Sequence, residues 1–190
     1  MKKIGFIGVG VMGKSMVLNL LKKGFEVSIY VRDKQKVEEV INAGAIFCES
    51  IKSCAQDKDA VITIVGYPKD VEEVYFSKEG VINSAKEGTY LIDMTTTSPN
   101  LSVKIYEESK SKGLKALDAP VSGGDVGAKN ATLSIMVGGD EEDFNSCKEI
   151  FESLGTTVIY EGKAGSGQHT KMANQIAIAG IMAGISEAIA

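Results

Sequence analysis

Lys171 stands one helical turn before an amide pair, Asn174–Gln175, in the segment Gly165-Ser166-Gly167-Gln168-His169-Thr170-Lys171-Met172-Ala173-Asn174-Gln175. Helical spacing puts positions 171, 174 and 175 on one face. A lysine whose pKa is lowered by burial or by nearby positive charge exchanges protons near neutrality, so Lys171 is a candidate acid–base group. Asn174 and Gln175 are candidates to hold a substrate hydroxyl or an adjacent oxygen. A surface lysine among polar residues gives the same pattern, and this segment alone does not separate the two readings. His169, the only histidine, lies two residues before Lys171 and therefore on another face; it is read as a bystander.

At the other end of the chain, Gly8-Val9-Gly10-Val11-Met12-Gly13 is a G-x-G-x-x-G between an apolar run and a helical one. Such a loop holds the pyrophosphate of a dinucleotide. Gly8 permits the turn, Gly10 lets backbone approach the phosphates, Gly13 lets helix and strand pack closely, and the helix N-terminus favours the negative charge. A purely structural turn is the alternative. About twenty residues on, the second strand ends in Arg32-Asp33, where an acid binds the ribose of NAD and an arginine the 2′-phosphate of NADP. Lys36 lies one turn further and joins Arg32, whereas Asp33 opposes a phosphate. The expected cofactor is NADP, with NAD possible. A third segment, Asp118-Ala119-Pro120-Val121-Ser122-Gly123-Gly124, offers the Ser122 hydroxyl and the unobstructed amides of Gly123 and Gly124 to a carboxylate. The alternative there is a glycine turn with no ligand. A cofactor loop near the N-terminus and a lysine–amide helix near the C-terminus are the two halves that a nicotinamide-dependent dehydrogenase needs.

The elements that must position these groups follow from hydrophobic periodicity. Runs at 3–8, 26–31, 45–48, 60–65, 90–93, 115–118, 133–137 and 157–160 predict strands. Helical spacing predicts helices over 11–23, 34–43, 51–55, 69–75, 99–112, 141–154 and 166–190, with Gly24 capping the first. The alternating order implies right-handed crossovers and a doubly wound, Rossmann-type parallel sheet with extra C-terminal strands. The boundary is placed at residues 1–163 for the dinucleotide-binding domain and 164–190 for the start of a long helix. That helix is apolar nearly all round, which predicts a covering domain or a partner subunit. Met12, Met16, Met172 and Met182 are read as core filling.

Composition narrows the classes. Net charge is −4 over 190 residues, with no basic cluster, which argues against nucleic acid as a partner. Cys48, Cys54 and Cys147 have no metal-ligand spacing, and one histidine adds little, so no metal site is expected. Reduced thiols and the cytoplasm are the default setting. The start MKKIGFIGVGVMG reads as a first strand rather than a secretory signal. No stretch is expected to reach the ~18 apolar residues that span a bilayer.

In this order, the segments IGFIGVGVMGKSM, DMTTTSP, DAPVSGGDVGA, LSIMVGGD and GSGQHTKMANQ resemble the β-hydroxyacid dehydrogenase family. That family includes 3-hydroxyisobutyrate dehydrogenase, 2-hydroxy-3-oxopropionate (tartronate semialdehyde) reductase and the glyoxylate and succinic-semialdehyde reductases. The resemblance implies Lys171 as the catalytic proton donor or acceptor and Ser122 and Gly123 as carboxylate binders. It places Thr96 where cofactor and substrate meet, Val65 and Gly66 in a cofactor-contacting loop, and Arg32 on the arginine of NADP-using members. Gln175 stands where Asn is frequent in the family, and Asp33 where a hydroxyl residue helps hold the 2′-phosphate. Family members continue into an all-helical domain that closes the site and builds the dimer. The expectation is therefore a homo-oligomer, with that domain lying beyond this chain. A dinucleotide-binding module without turnover, a sugar-phosphate dehydrogenase and an imine reductase are the rival readings.

Overall fold

A computed structural model of the chain describes all of residues 1–190. Its first half runs β1 (Lys3–Ile7), α1 (Val11–Lys22), β2 (Glu26–Tyr30), α2 (Glu38–Asn42), β3 (Ile46–Phe47), α3 (Ile51–Ala55) and β4 (Ala60–Thr63). The second half begins with α4 (Pro68–Phe76), α5 (Val81–Ser84), β5 (Tyr90–Asp93), α6 (Pro99–Ser111) and β6 (Lys115–Asp118). It continues with β7 (Val121–Ser122), α7 (Gly124–Asn130), β8 (Leu133–Gly138), α8 (Glu141–Ser146), α9 (Lys148–Glu152), β9 (Gly155–Gly162) and α10 (Ser166–Ile189).

All nine strands join one sheet in the order β3-β2-β1-β4-β5-β6-β8-β7, with β9 paired to β8. Strands β1 to β6 are parallel. The chain winds outward from β1 to β3, then crosses back to lay β4 on β1's other edge. That reversal opens a crevice at the carboxyl ends of β1 and β4, where sheets of this kind take ligands.

The continuous apolar strands are explained by a core on each face. Phe6, Ile62 and Ile92 enter one buried cluster with Met16, Leu20 and Phe151. Their chain neighbours Ile7, Val61 and Leu91 enter the other, with Val74 and Tyr75. A strand sandwiched by helices has no solvent side, so alternation disappears from its sequence.

Four departures from the sequence expectations have local causes. Lys34–Val37 is a 3-10 turn rather than the start of α2, because the Asp33 carboxylate accepts the Gln35 N–H and tightens the chain there. The expected helix 141–154 breaks at Cys147, whose ψ of 2° separates α8 from α9. The sheet is not parallel throughout: β8 runs antiparallel to β6 and β7. Only the short β7–α7 excursion separates β6 from β8, and it carries no full crossover. Elements α5, β7 and α7 were not foreseen, the last because Gly124 and Gly127 mask a helical turn.

Helix α10 departs in a different way. Met172 and Met182 are exposed, as are Ile176, Ile181, Ile185 and Ile189, rather than filling the core. Over 24 residues it is also long and apolar enough to cross a bilayer by length and composition, contrary to the sequence expectation. Its first turns, by contrast, are built into the domain: Gly167, Gln168 and Lys171 are buried.

Candidate active site

The glycine loop joins β1 to α1 at the crevice. Gly8 has φ of +97°, and a side chain there would strike the Ile64 carbonyl. A methyl on Gly13 would overlap the Gly8 carbonyl oxygen. Both glycines are therefore required by the protein's own packing, which draws α1 close under β1. Gly10 differs, because apart from its chain neighbours no protein atom lies within 4 Å of the place its Cβ would occupy. It caps α1 without a side-chain hydrogen bond, and the first turn holds no acidic residue. Unclaimed amides at the positive end of a helix dipole, beneath open space, fit a pyrophosphate.

A cleft of about 590 Å³ opens from this loop. Its wall contains Gly8, Gly10, Val11, Met12, Gly13, Arg32, Asp33, Lys36, Val65 and Gly66, joined by Asp70 and Val74. Every cofactor candidate read from the sequence lines it except Thr96, which is exposed on the loop after β5. At the β2 end, Arg32 donates from Nη2 to Asp70 Oδ1 at 3.0 Å and to Glu73 Oε2 at 3.3 Å. Lys36 Nζ lies 3.4 Å from Asp33 Oδ2.

A buried polar network ties this cleft to α10. Val65 N–H donates to Thr95 Oγ1 at 3.0 Å, and Thr95 N–H donates to Asp93 Oδ1 at 3.1 Å. Gln168, fully buried, donates from Nε2 to the Thr95 carbonyl at 2.7 Å and accepts the Thr97 N–H at 3.0 Å. Thr96 is thus held between two clamped neighbours. Asp118, at the end of β6, accepts the amides of Gly165 and Gln168 at 2.7 and 2.9 Å and fixes the first turn of α10. Burial raises the carboxyl pKa of both acids, that of Asp93 to about 6, while the hydrogen bonds they accept oppose the rise.

Lys171 follows Gln168 by three residues on the same face. It is 7% exposed and has no ion-pair partner, and burial holds its pKa below the ordinary lysine value. His169 is exposed. Asn174 is half-buried, and its amide donates to Gln175 Oε1 at 3.1 Å. On the sheet's other flank, Ser122 pairs with Ser134 of β8, the strand on which α10 also packs. Gly123 and Gly124 have φ of +131° and +63°, so this turn demands glycine irrespective of any ligand. The Asn19 side chain donates to the Ala128 carbonyl at 2.7 Å and locks α7 onto α1.

The family model for the NAD binding domain of 6-phosphogluconate dehydrogenase matches residues 3–162. The chain belongs to this family. It is 57% identical, over its whole length, to an uncharacterized oxidoreductase of Bacillus subtilis, of which it covers 66%. It is 44% identical over 98% of its length to a probable 3-hydroxyisobutyrate dehydrogenase-like protein of Arabidopsis thaliana, covering 56% of that protein. The solved structure of Mycobacterium tuberculosis 3-hydroxyisobutyrate dehydrogenase with L-serine superposes with a TM-score of 0.93 at 32% identity. That match spans 99% of this chain and 64% of the other. The chain therefore spans between about half and two thirds of the length of these relatives. As a family member it is a Rossmann-type, NAD(P)-binding domain.

Sequence reasoning missed four residues here: Asp70, Glu73, Thr95 and Gln168. Gln168 carried a readable signal, its place one turn before Lys171 on the same face. Asp70 and Glu73 carried none, because their role depends on α4 folding back over the end of β2.

Proposed function

We propose that the chain is the cofactor-holding part of an NADP(H)- or NAD(H)-dependent reductase of small β-hydroxyacids or semialdehydes. The substrates would be of the 3-hydroxyisobutyrate, tartronate semialdehyde and glyoxylate class, with Lys171 as the acid–base group. The observation that carries this reading is a buried lysine without a counter-ion, one turn from a glutamine that clamps the loop bordering the cofactor cleft. In this reading a bound nicotinamide supplies or accepts the hydride at the substrate's carbonyl carbon. Lys171 Nζ gives its proton to the oxygen as negative charge develops there, and takes it back in the reverse direction. Its depressed pKa brings the neutral and charged forms closer in energy, as a group that cycles between them requires.

Thr96, Ser122, Gly123 and Gly124 would hold the substrate carboxylate and orient the carbonyl, with Asn174 and Gln175 beside the hydroxyl. Gly8, Gly10, Val11, Met12, Gly13, Val65 and Gly66 would hold the dinucleotide, and Arg32, Asp33 and Lys36 would meet its ribose end. We divide the chain into a dinucleotide domain, residues 1–163, and a helical start, residues 164–190. The apolar face of α10 is assigned to further protein, in a homo-oligomer, rather than to lipid, because its first turn is tied into the domain by the hydrogen bonds of Asp118 and Gln168. Three free cysteines fit a reducing, cytoplasmic setting.

The test is NAD(P)H oxidation against a panel of small semialdehydes, with Lys171→Met alongside. Turnover that disappears in Lys171→Met while dinucleotide affinity is kept is the expected result. Undiminished turnover in that variant would remove Lys171 from the chemistry. Dinucleotide binding without any turnover would favour a binding module.

A further inference from the structure

The two cations at the β2 end of the cleft are both already engaged. Arg32 is bound by Asp70 and Glu73 of α4, and Lys36 is bound by Asp33. Two positive and three negative charges leave this end at −1. Asp70 is not free to drift away. Its other carboxylate oxygen accepts the Tyr67 N–H at 3.0 Å as part of the α4 capping box, and its side chain is only 24% exposed. The acid that holds Arg32 is therefore itself fixed by backbone.

We propose that Asp70 and Glu73 form an acidic latch on Arg32 that sets the choice between the two nicotinamide dinucleotides. This rests on the cleft being the dinucleotide site. A ribose 2′-hydroxyl fits beside the latched arginine without disturbing it. A 2′-phosphate brings up to two negative charges and engages Arg32 fully only when its Nη2, which both carboxylates share, is released from them, leaving Asp70 capped in place and unpaired. The latch therefore taxes NADP and leaves NAD untouched, so the chain accepts both. Asp70 and Glu73, rather than Arg32 alone, determine how far NADP leads. Exposed ion pairs are weak, so the combined effect of releasing both carboxylates is about two- to twentyfold in relative affinity. Because screening weakens it, the effect shrinks as salt rises.

The experiment measures NADPH and NADH dissociation constants by nicotinamide fluorescence for the 190-residue chain and for Asp70→Asn/Glu73→Gln. An asparagine at 70 keeps an oxygen for the Tyr67 N–H, so the helix cap survives, and thermal melts check this. The expected result is a tighter NADPH constant with NADH unchanged, and no such gain when Arg32→Ala is added. An unchanged NADPH-to-NADH ratio overturns the latch. So does an equal gain in the Arg32→Ala background, since the carboxylates would then be repelling the phosphate directly. If NADH itself fails to bind the unsubstituted chain, the cofactor assignment of the cleft falls, and the latch with it.

Discussion

Gly10→Ala separates what the fold needs from what a ligand needs. Gly10 sits at the N-cap of α1 with φ of −81° and ψ of −156°, extended backbone that alanine adopts. Apart from its chain neighbours, its new methyl would meet no protein atom within 4 Å. Alanine is a poorer cap than glycine by about 0.5–1 kcal/mol. It also stiffens the unfolded chain, which returns about 0.4–1 kcal/mol. The two terms nearly cancel, so thermal melts of the variant and the parent chain should coincide within a degree or two. A dinucleotide has no such indifference, because the methyl stands where its pyrophosphate would reach the amides of α1. Losing one charge-assisted hydrogen bond costs roughly 1.5–3 kcal/mol, or about 10- to 100-fold in dissociation constant. Fluorescence titration with NADH and NADPH reads this directly. Gly13→Ala is the internal control. Its methyl would overlap the Gly8 carbonyl, so α1 must move, at about 1–3 kcal/mol or more, and the melt should drop by several degrees. If Gly10→Ala binds both dinucleotides as well as the parent does, the pyrophosphate does not lie on α1 and the reasoning fails.

Three further predictions use buried groups. Asp93 has its pKa raised from 3.8 to about 6 by burial, against the hydrogen bonds from Thr63 and Thr95, with Asp118 adding to the rise. The folded state therefore binds the extra proton, and stability should fall as pH rises from about 4 to about 6, then level off. That loss is on the order of 3 kcal/mol, and Asp93→Asn should flatten this part of the profile in urea melts at several pH values. Gln168→Leu removes both hydrogen bonds that clamp Thr95 and Thr97, leaving those backbone groups unsatisfied. A loss of about 2–4 kcal/mol and faster amide exchange at Thr97 are expected; unchanged exchange there would show that the loop does not depend on this clamp. Lys171→Met exchanges a desolvated ammonium for an apolar chain of similar length, so the melt should hold or rise even as any turnover is lost. A large destabilisation would mean that Lys171 holds the fold rather than serving chemistry.

What could be read from the chain depends on how local each cause is. Gly8 and Gly13 were legible because the loop's demands fall on residues within a single strand–turn–helix unit. The strands β1, β4 and β5 were legible because burial on both faces writes an unbroken apolar run. The antiparallel entry of β8 was not, since strand direction is decided by whether the connection crosses the sheet, and 121–130 reads as a loop whether or not it folds back on α1. Arg32 shows the same limit at a residue proposed to meet the cofactor. Its type and its distance from the glycine loop pointed to a phosphate, yet Asp70 and Glu73 lie roughly forty residues away in sequence and reach it only once α4 is docked. A motif reports the charge that one position contributes, whereas a ligand meets the sum of charges that the fold has gathered. At this cleft the two differ in sign: the arginine alone is positive, and the cluster of Arg32, Lys36, Asp33, Asp70 and Glu73 sums to −1, so in the proposed reading the acids reduce the lead that the arginine alone would give NADP.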